Sequence, residues 1–262
     1  MKIRISILLA AVILMTIVSG CWDAQEMDTL KIVTGFCIDK GEQENEIKLT
    51  VQIGRGQAQS GGGQQGGGGG QSSSGATFYN LSEDSSTIEE ALYKIHNSIS
   101  GTLFLPQNQI CIISEELAYE GITKFLDYFL RSNNIRLEEY LVISEGNAAE
   151  IIKEKMEVNV SPSIMLMHMI ADREKMSVKL KVNTHDFIIK MLEEPTCPLV
   201  PLVKLEKTER TKIKFTGMGV LKDGKLIGKL DEDQTIGFIW TSGKVNQGVF
   251  ELKCEYGAAN LT

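Results

Sequence analysis

Cys21 stands directly after Val18-Ser19-Gly20, at the end of an apolar run from Ile7 to Val18 that only Thr16 interrupts, with Lys2 and Arg4 ahead of it. Small side chains just before a cut let a signal peptidase seat the chain in its cleft. Val18, Ser19 and Gly20 are therefore read as its recognition residues, and residues 1–20 as a signal peptide. A thiol stands immediately after that cut, and its sulfur is the nucleophile available for modification. The apolar run spans only about 18 Å at about 1.5 Å per residue, short of a bilayer core of about 30 Å. A lipid anchor fits the segment better than a transmembrane helix.

The pattern resembles the lipobox of bacterial lipoproteins, which implies that Cys21 is the lipid site, carrying a diacylglycerol thioether. It sets the mature chain, from Cys21 to Thr262, outside the cytoplasm and tethered at its N-terminus. A diacyl anchor holds a protein stably where one acyl chain holds it only marginally. No later segment approaches the length of about eighteen apolar residues that a membrane helix needs. The formal net charge of −7 argues against nucleic acid as a partner. It argues equally against electrostatic adhesion to anionic lipid.

Beyond Cys21 no catalytic, cofactor-binding or metal site is expected. His96 borders the apolar stripe of its helix, His168 lies in a Met-rich segment and His185 opens a helix beside Thr184. Each is read as a packed or capping histidine. The doublets Glu115-Glu116, Glu138-Glu139 and Glu193-Glu194 are read as solvated surface, since adjacent residues do not share a face of a helix or strand. Met165, Met167 and Met169 are read as core filling rather than as soft metal ligands. Cys37, Cys111, Cys197 and Cys254 lack Cys-x-x-Cys spacing and are read as core thiols, although an extracytoplasmic setting permits disulfides. No Gly-x-Ser-x-Gly, His-Glu-x-x-His or dinucleotide fingerprint occurs.

The elements that must carry these residues follow from periodicity. Leu30 to Asp39 and Ile47 to Ile53 predict strands joined through Gly41 to Asn45, the second half-buried because it alternates without a slip. Gly54 to Gly75, almost wholly Gly, Gln and Ser, is expected to be a flexible loop, having nothing apolar to bury. Thr77 to Leu81 reads as extended, Thr87 to Ser100 as a helix, and Leu103 to Leu105 with Gln109 to Ile113 as strand. Ile122, Phe125, Leu126, Phe129 and Leu130 mark a helix with one wide apolar face. Leu141 to Ile143 predicts a buried strand, Ala148 to Lys155 a short helix, Ile164 to Ile170 an enclosed helix, and Phe187 to Leu192 an amphipathic one. Pro195, Pro198 and Pro201 are expected to stop regular structure at a domain junction. Asp223-Gly224 between Lys212 to Leu221 and Lys225 to Leu230 predicts a hairpin. Asp231 with Gln234 opens a helix through Trp240, and Val249 to Tyr256 reads as strand.

The class implied is α+β, or mixed α/β. An N-terminal mixed-sheet domain over 21–205 is followed by the start of a second α+β domain over 206–262, which reads as incomplete because roughly fifty residues rarely close a core.

The residues after Cys21 resemble the opening of the Ger(x)C family. They are Trp22-Asp23, Glu26-Met27-Asp28, Leu30, Ile32-Val33, Gly35 and Ile38-Asp39-Lys40. The likeness continues through Phe129-Leu130-Arg131, Ile135-Arg136 and Leu141 to Ile143. It returns at Phe215 to Val220, Asp223 to Gly228 and Ile236 to Trp240. The Gly54 to Gly75 insert is longer than the family pattern, and family members extend further at the C-terminus. The resemblance implies a non-enzymatic, lipid-anchored subunit of a spore germinant receptor. It would sit on the outer face of the inner spore membrane with membrane-embedded A and B subunits, in a complex triggered by small molecules such as amino acids or sugars. A cell-envelope scaffolding lipoprotein is the alternative. An envelope hydrolase is weakest, because no nucleophile with a base can be named.

Overall fold

The computed structural model describes residues 3–5, 29–55, 77–132, 134–154, 160–176, 182–193, 197–208, 211–243, 250–254 and 257–261. The chain divides into two compact units, residues 1–30 and 31–262, and the second carries the fold. Its centre is a nine-stranded mixed sheet in the order β3-β2-β1-β5-β6-β7-β8-β9, with β4 pairing β1 off that path. The α+β class expected from the sequence is the class observed.

Four parallel strands form the middle: β1 (Leu30–Lys40), β5 (Ile110–Ser114), β6 (Tyr140–Ser144) and β7 (Leu199–Lys207). Antiparallel neighbours flank them. On one side lie β2 (Ile47–Gly54) and β3 (Phe78–Ser85), with β4 (Thr102–Phe104) beside β1. On the other lie β8 (Thr211–Lys222) and β9 (Lys225–Leu230). A parallel strand is covered on both faces, which is why β1, β5 and β6 read as nearly unbroken apolar runs. Phe36, Ile38, Cys111, Ile113, Leu141 and Ile143 belong to one core. Cys37, Ile110, Ile112 and Val142 belong to the other.

The first face is covered by α1 (Ile88–Asn97), α2 (Glu115–Glu120), α3 (Thr123–Arg131) and α6 (Thr184–Leu192). In α1 the Thr87 hydroxyl accepts from the Glu90 amide, and Ile88, Ala91, Leu92 and Ile95 are buried at helical spacing. In α3, Phe129 meets Phe36 edge to face, their ring centroids 6.3 Å apart. The second face carries α4 (Ala148–Lys153) and α5 (Pro162–Met176). The capping box at Asp231 and Gln234 opens α7 (Glu232–Thr241), as its spacing predicts. A separate two-stranded sheet joins β10 (Phe250–Cys254) to β11 (Gly257–Leu261), the latter not anticipated.

Between β8 and β9 the turn residues Asp223 and Gly224 have φ of 51° and 72°, as their identities predict. The hairpin tip also docks: the Ile122 amide donates to the Gly224 carbonyl at 2.8 Å, at the start of α3. A Cβ on Gly224 would lie 2.1 Å from Thr123 Oγ1. Gly224→Val should therefore cost about 2 kcal/mol or more. Gly228→Ala, with nothing within 4 Å of its Cβ, should stay within about 0.5 kcal/mol. Urea midpoints of the two variants check this.

Several expectations need correction. Strand β2 is buried on both faces, because Thr50 and Gln52 on its polar side are 0 % exposed and hydrogen-bonded. The segment Ile164 to Ile170 is not enclosed. Leu166 and Ile170 face the sheet, Met165 and Met169 pack partly against it, and His168 is exposed, since α5 lies on the outside of one sheet face. Leu130 and Leu192 fall off their helices' buried stripes and are exposed. Pro201 does not end regular structure but lies in β7, opposite Met218 of β8. The β6–β7 ladder starts only at Leu202, so the missing N–H falls at its margin. Cys197 is exposed rather than a core thiol, while Cys37 and Cys111 are buried and free. The side chain of Cys254 lies outside the described residues, as do residues 56–75 of the Gly-rich stretch.

Candidate functional site

Open parallel sheets leave a crevice beyond the carboxyl ends of their strands, and ligands of such folds bind there. In this chain β1, β5 and β6 end side by side. Ile38 pairs with Ile113 and Ser114 with Ser144, so Asp39, Ser114 and Ser144 stand in one polar row across the three strand ends. A cavity of about 400 Å³ opens above Asp39 and Ser114, bounded also by Lys40, Glu116, Tyr119 and Asn147.

Asp39 is 3 % exposed, and its two oxygens accept from the amides of Ala148 (2.6 Å) and Ala149 (2.9 Å) at the start of α4. Burial pushes its carboxyl pKa up, and the two amides oppose that rise. The Asn147 side chain caps the same turn by accepting from the Glu150 amide. Ser114, 4 % exposed, has no hydrogen-bond partner for its Oγ among the described residues.

Lys40 on the rim and Lys229 outside the lining tie nearby carboxylates down. Lys40 Nζ lies 3.0 Å from Glu116 and 2.7 Å from Glu120, and hydrogen bonding to Glu120 and Glu116 holds its pKa up at about 12. Lys229, from β9, lies 2.6 Å from Glu115 and 2.8 Å from Glu145. Glu115 and Glu116 thus point to different lysines, as successive positions must. They are tied into ion pairs rather than merely solvated.

A second concavity, about 850 Å³, lies between α1 and α3 beside Leu92, Phe125, Tyr128 and the exposed Tyr93. Elsewhere Glu139, expected at the surface, is 2 % exposed at the mouth of β6. Neither of its carboxyl oxygens has a hydrogen-bond partner among the described residues. Burial raises its pKa to about 7.

The lipid-site residues Cys21, Val18, Ser19 and Gly20 lie outside the described residues. His96, His168 and His185 are all exposed, so none is a core histidine, and the structure does not bring them together. His185 does follow the Asn183 cap of α6. Among the described residues no group of three or more His, Cys, Asp or Glu side chains is arranged to hold a metal ion. No described helix is long and apolar enough to cross a membrane. The crevice itself was not legible in the sequence. Asp39 meets α4 across 109 residues and Lys229 meets Glu145 across 84, spacings that leave no local signal. The one available hint was an acidic residue, Asp39, at the end of an otherwise apolar strand.

Comparison with known proteins follows the same stretch of chain. Residues 23–205 match the family profile described as the spore germination protein N-terminal domain. Residues 216–261 match the profile described as spore germination B3/GerAC like, C-terminal, which begins inside β8. Among curated proteins of Bacillus subtilis (strain 168), the chain is 26% identical to spore germination protein YndF, over 95% of this chain and 65% of that protein. It is 26% identical to spore germination protein KC, over 91% of this chain and 62% of that one. It is 24% identical to spore germination protein B3, over 88% and 59% respectively. The chain therefore spans less than two thirds of the length of each of these relatives. No solved structure matches it.

Proposed function

We propose, from the fact that this chain belongs to the family of GerAC-like spore germination proteins, that it serves as a non-enzymatic subunit of a germinant receptor. A diacylglycerol on Cys21 anchors it after removal of residues 1–20. It assembles with membrane-embedded A and B subunits on the outer face of the inner spore membrane. The observation that carries this reading is order. The family match opens at residue 23, two positions after a cysteine preceded by Val18-Ser19-Gly20 and a short apolar leader.

Cys21→Ala tests the reading. The variant should keep its leader or leave the membrane fraction, and spores carrying it should respond to germinant more slowly than the parent. Mass spectrometry should find a diacylglyceryl adduct on the mature N-terminus of the parent only. Normal processing and full membrane retention of Cys21→Ala would refute the anchor. Unchanged germination in spores lacking the protein would refute the receptor role.

A further inference from the structure

We propose that the crevice at the carboxyl ends of β1, β5 and β6 binds the ammonium group of a small aliphatic amine. The inference stands on the geometry of the crevice and does not depend on the receptor assignment. Its first support is charge. Three carboxylates line the crevice, those of Asp39, Glu115 and Glu116, against one lining ammonium group, that of Lys40, which Glu116 shares with Glu120, while Glu115 pairs with Lys229 outside the lining. Among the described residues Asp39 accepts from the backbone amides of Ala148 and Ala149, and the Lys153 and Glu150 charges near it oppose each other. The rim is short of positive charge.

The second support is independent of charge. Ser114 lines the crevice, is buried, and has an Oγ without a hydrogen-bond partner among the described residues. A buried hydroxyl left unpaired carries a desolvation cost that a ligand can relieve. An ammonium group brings three N–H donors and no acceptor. It therefore suits a site offering a hydroxyl oxygen and under-neutralised carboxylates.

The donor set also separates an organic cation from a metal. No three acidic, His or Cys side chains among the described residues converge to hold an ion. Hydrogen bonds to dispersed acceptors are what the crevice supplies. A volume of about 400 Å³ holds a small molecule, within the range of about 300–1,000 Å³ usual for ligand pockets. Tyr119, half exposed on the rim, provides an apolar wall for a short alkyl chain.

The test titrates the full chain with butylamine, and with 1-butanol as the uncharged analogue of the same length. Calorimetry should detect butylamine binding that weakens with added sodium chloride, and none for 1-butanol. Ser114→Ala and Glu116→Gln should each weaken binding about tenfold, the loss of one charge-assisted hydrogen bond. Glu116 is largely exposed, so its variant keeps the fold even if Ser114→Ala does not, and thermal unfolding of both verifies this. N-acetyl-lysine methylamide forms a second arm. Tighter binding of that compound than of butylamine overturns the small-amine assignment in favour of a lysine side chain, and the reverse supports it. Butylamine binding no tighter than 1-butanol, or equal in the parent and both variants, overturns the proposal.

Discussion

Glu139→Gln is expected to stabilise the protein at pH 8 by about 3 kcal/mol and to leave stability at pH 4 nearly unchanged. Glu139 is 2 % exposed and makes no well-formed side-chain hydrogen bond among the described residues; its own backbone amide and the Thr184 hydroxyl lie near enough to favour the carboxylate, and burial outweighs them. Burial raises its pKa from 4.5 to about 7 in the folded state. Below about pH 4.5 both folded and unfolded chains hold the proton, and the carboxyl costs nothing. Between about pH 4.5 and 7 the unfolded carboxyl ionises freely while the folded one resists, so stability falls as pH rises. Above about pH 7 the cost is complete and constant. Glutamine keeps the shape without the charge and removes this slope. Urea unfolding of parent and variant at pH 4, 6 and 8 reads the effect. A stability difference that is the same at pH 4 and pH 8 would show that the carboxyl is not held protonated by burial.

Gln52→Leu should destabilise the protein by about 3–5 kcal/mol despite the similar side-chain volume. Gln52 is 0 % exposed and joins three parts of the fold. Its Nε2 donates to Asn80 Oδ1 on β3 at 2.9 Å and to the Ile152 carbonyl of α4 at 2.6 Å. Its Oε1 accepts from the Ser163 amide at 3.0 Å and from the hydroxyls of Ser161 and Ser163 at the start of α5. The Ser163 hydroxyl also lies 2.9 Å from Thr34 Oγ1 on β1. Nearby, a Cβ at Gly35 would come 2.6 Å from Ser163 Cβ, so α5 approaches β1 at a distance that only glycine permits. Leucine would leave the buried Ser163 amide without its acceptor and the part-buried Asn80 Oδ1 without its donor. Asn80 Nδ2 still reaches the Ile152 carbonyl at 3.1 Å, which limits the loss. Thr50→Val, which removes one hydroxyl from the Thr50–Ser82 pair, should cost about 1 kcal/mol and serves as the comparison. A Gln52→Leu variant as stable as Thr50→Val would mean that the network contributes no more than one hydroxyl pair.

The class of the fold and most of its elements were legible in the residues. Helix α1 announces itself by Thr87 followed by Ile88, Ala91, Leu92 and Ile95, and α7 by Asp231 with Gln234. Asp223-Gly224 names its own hairpin turn. Each is a local statement, because capping, helical periodicity and positive φ involve residues no more than a few positions apart. Errors arose where burial was inferred from a pattern alone. Strand β2 alternates like a half-exposed strand, yet its polar side is covered by α4 and α5, from about 100 residues away. Glu139 sits in an acidic doublet that reads as surface, yet the start of α6 closes over it, the Thr184 amide donating to its carbonyl.

The sequence by itself determined the likeness to spore germination proteins and the strand, turn and cap signals. These are properties of neighbouring residues and of their order along the chain. Only the tertiary structure decided that β1, β5 and β6 end together around Asp39 and Ser114. It also brought Lys229 from β9 between Glu115 and Glu145, placed Pro201 inside the sheet, and buried Glu139. The physical reason is that the exposure and pairing of a polar group depend on which distant element packs over it. That choice is made by the sum of apolar burial over both faces of the sheet. The side chain itself has no voice in it.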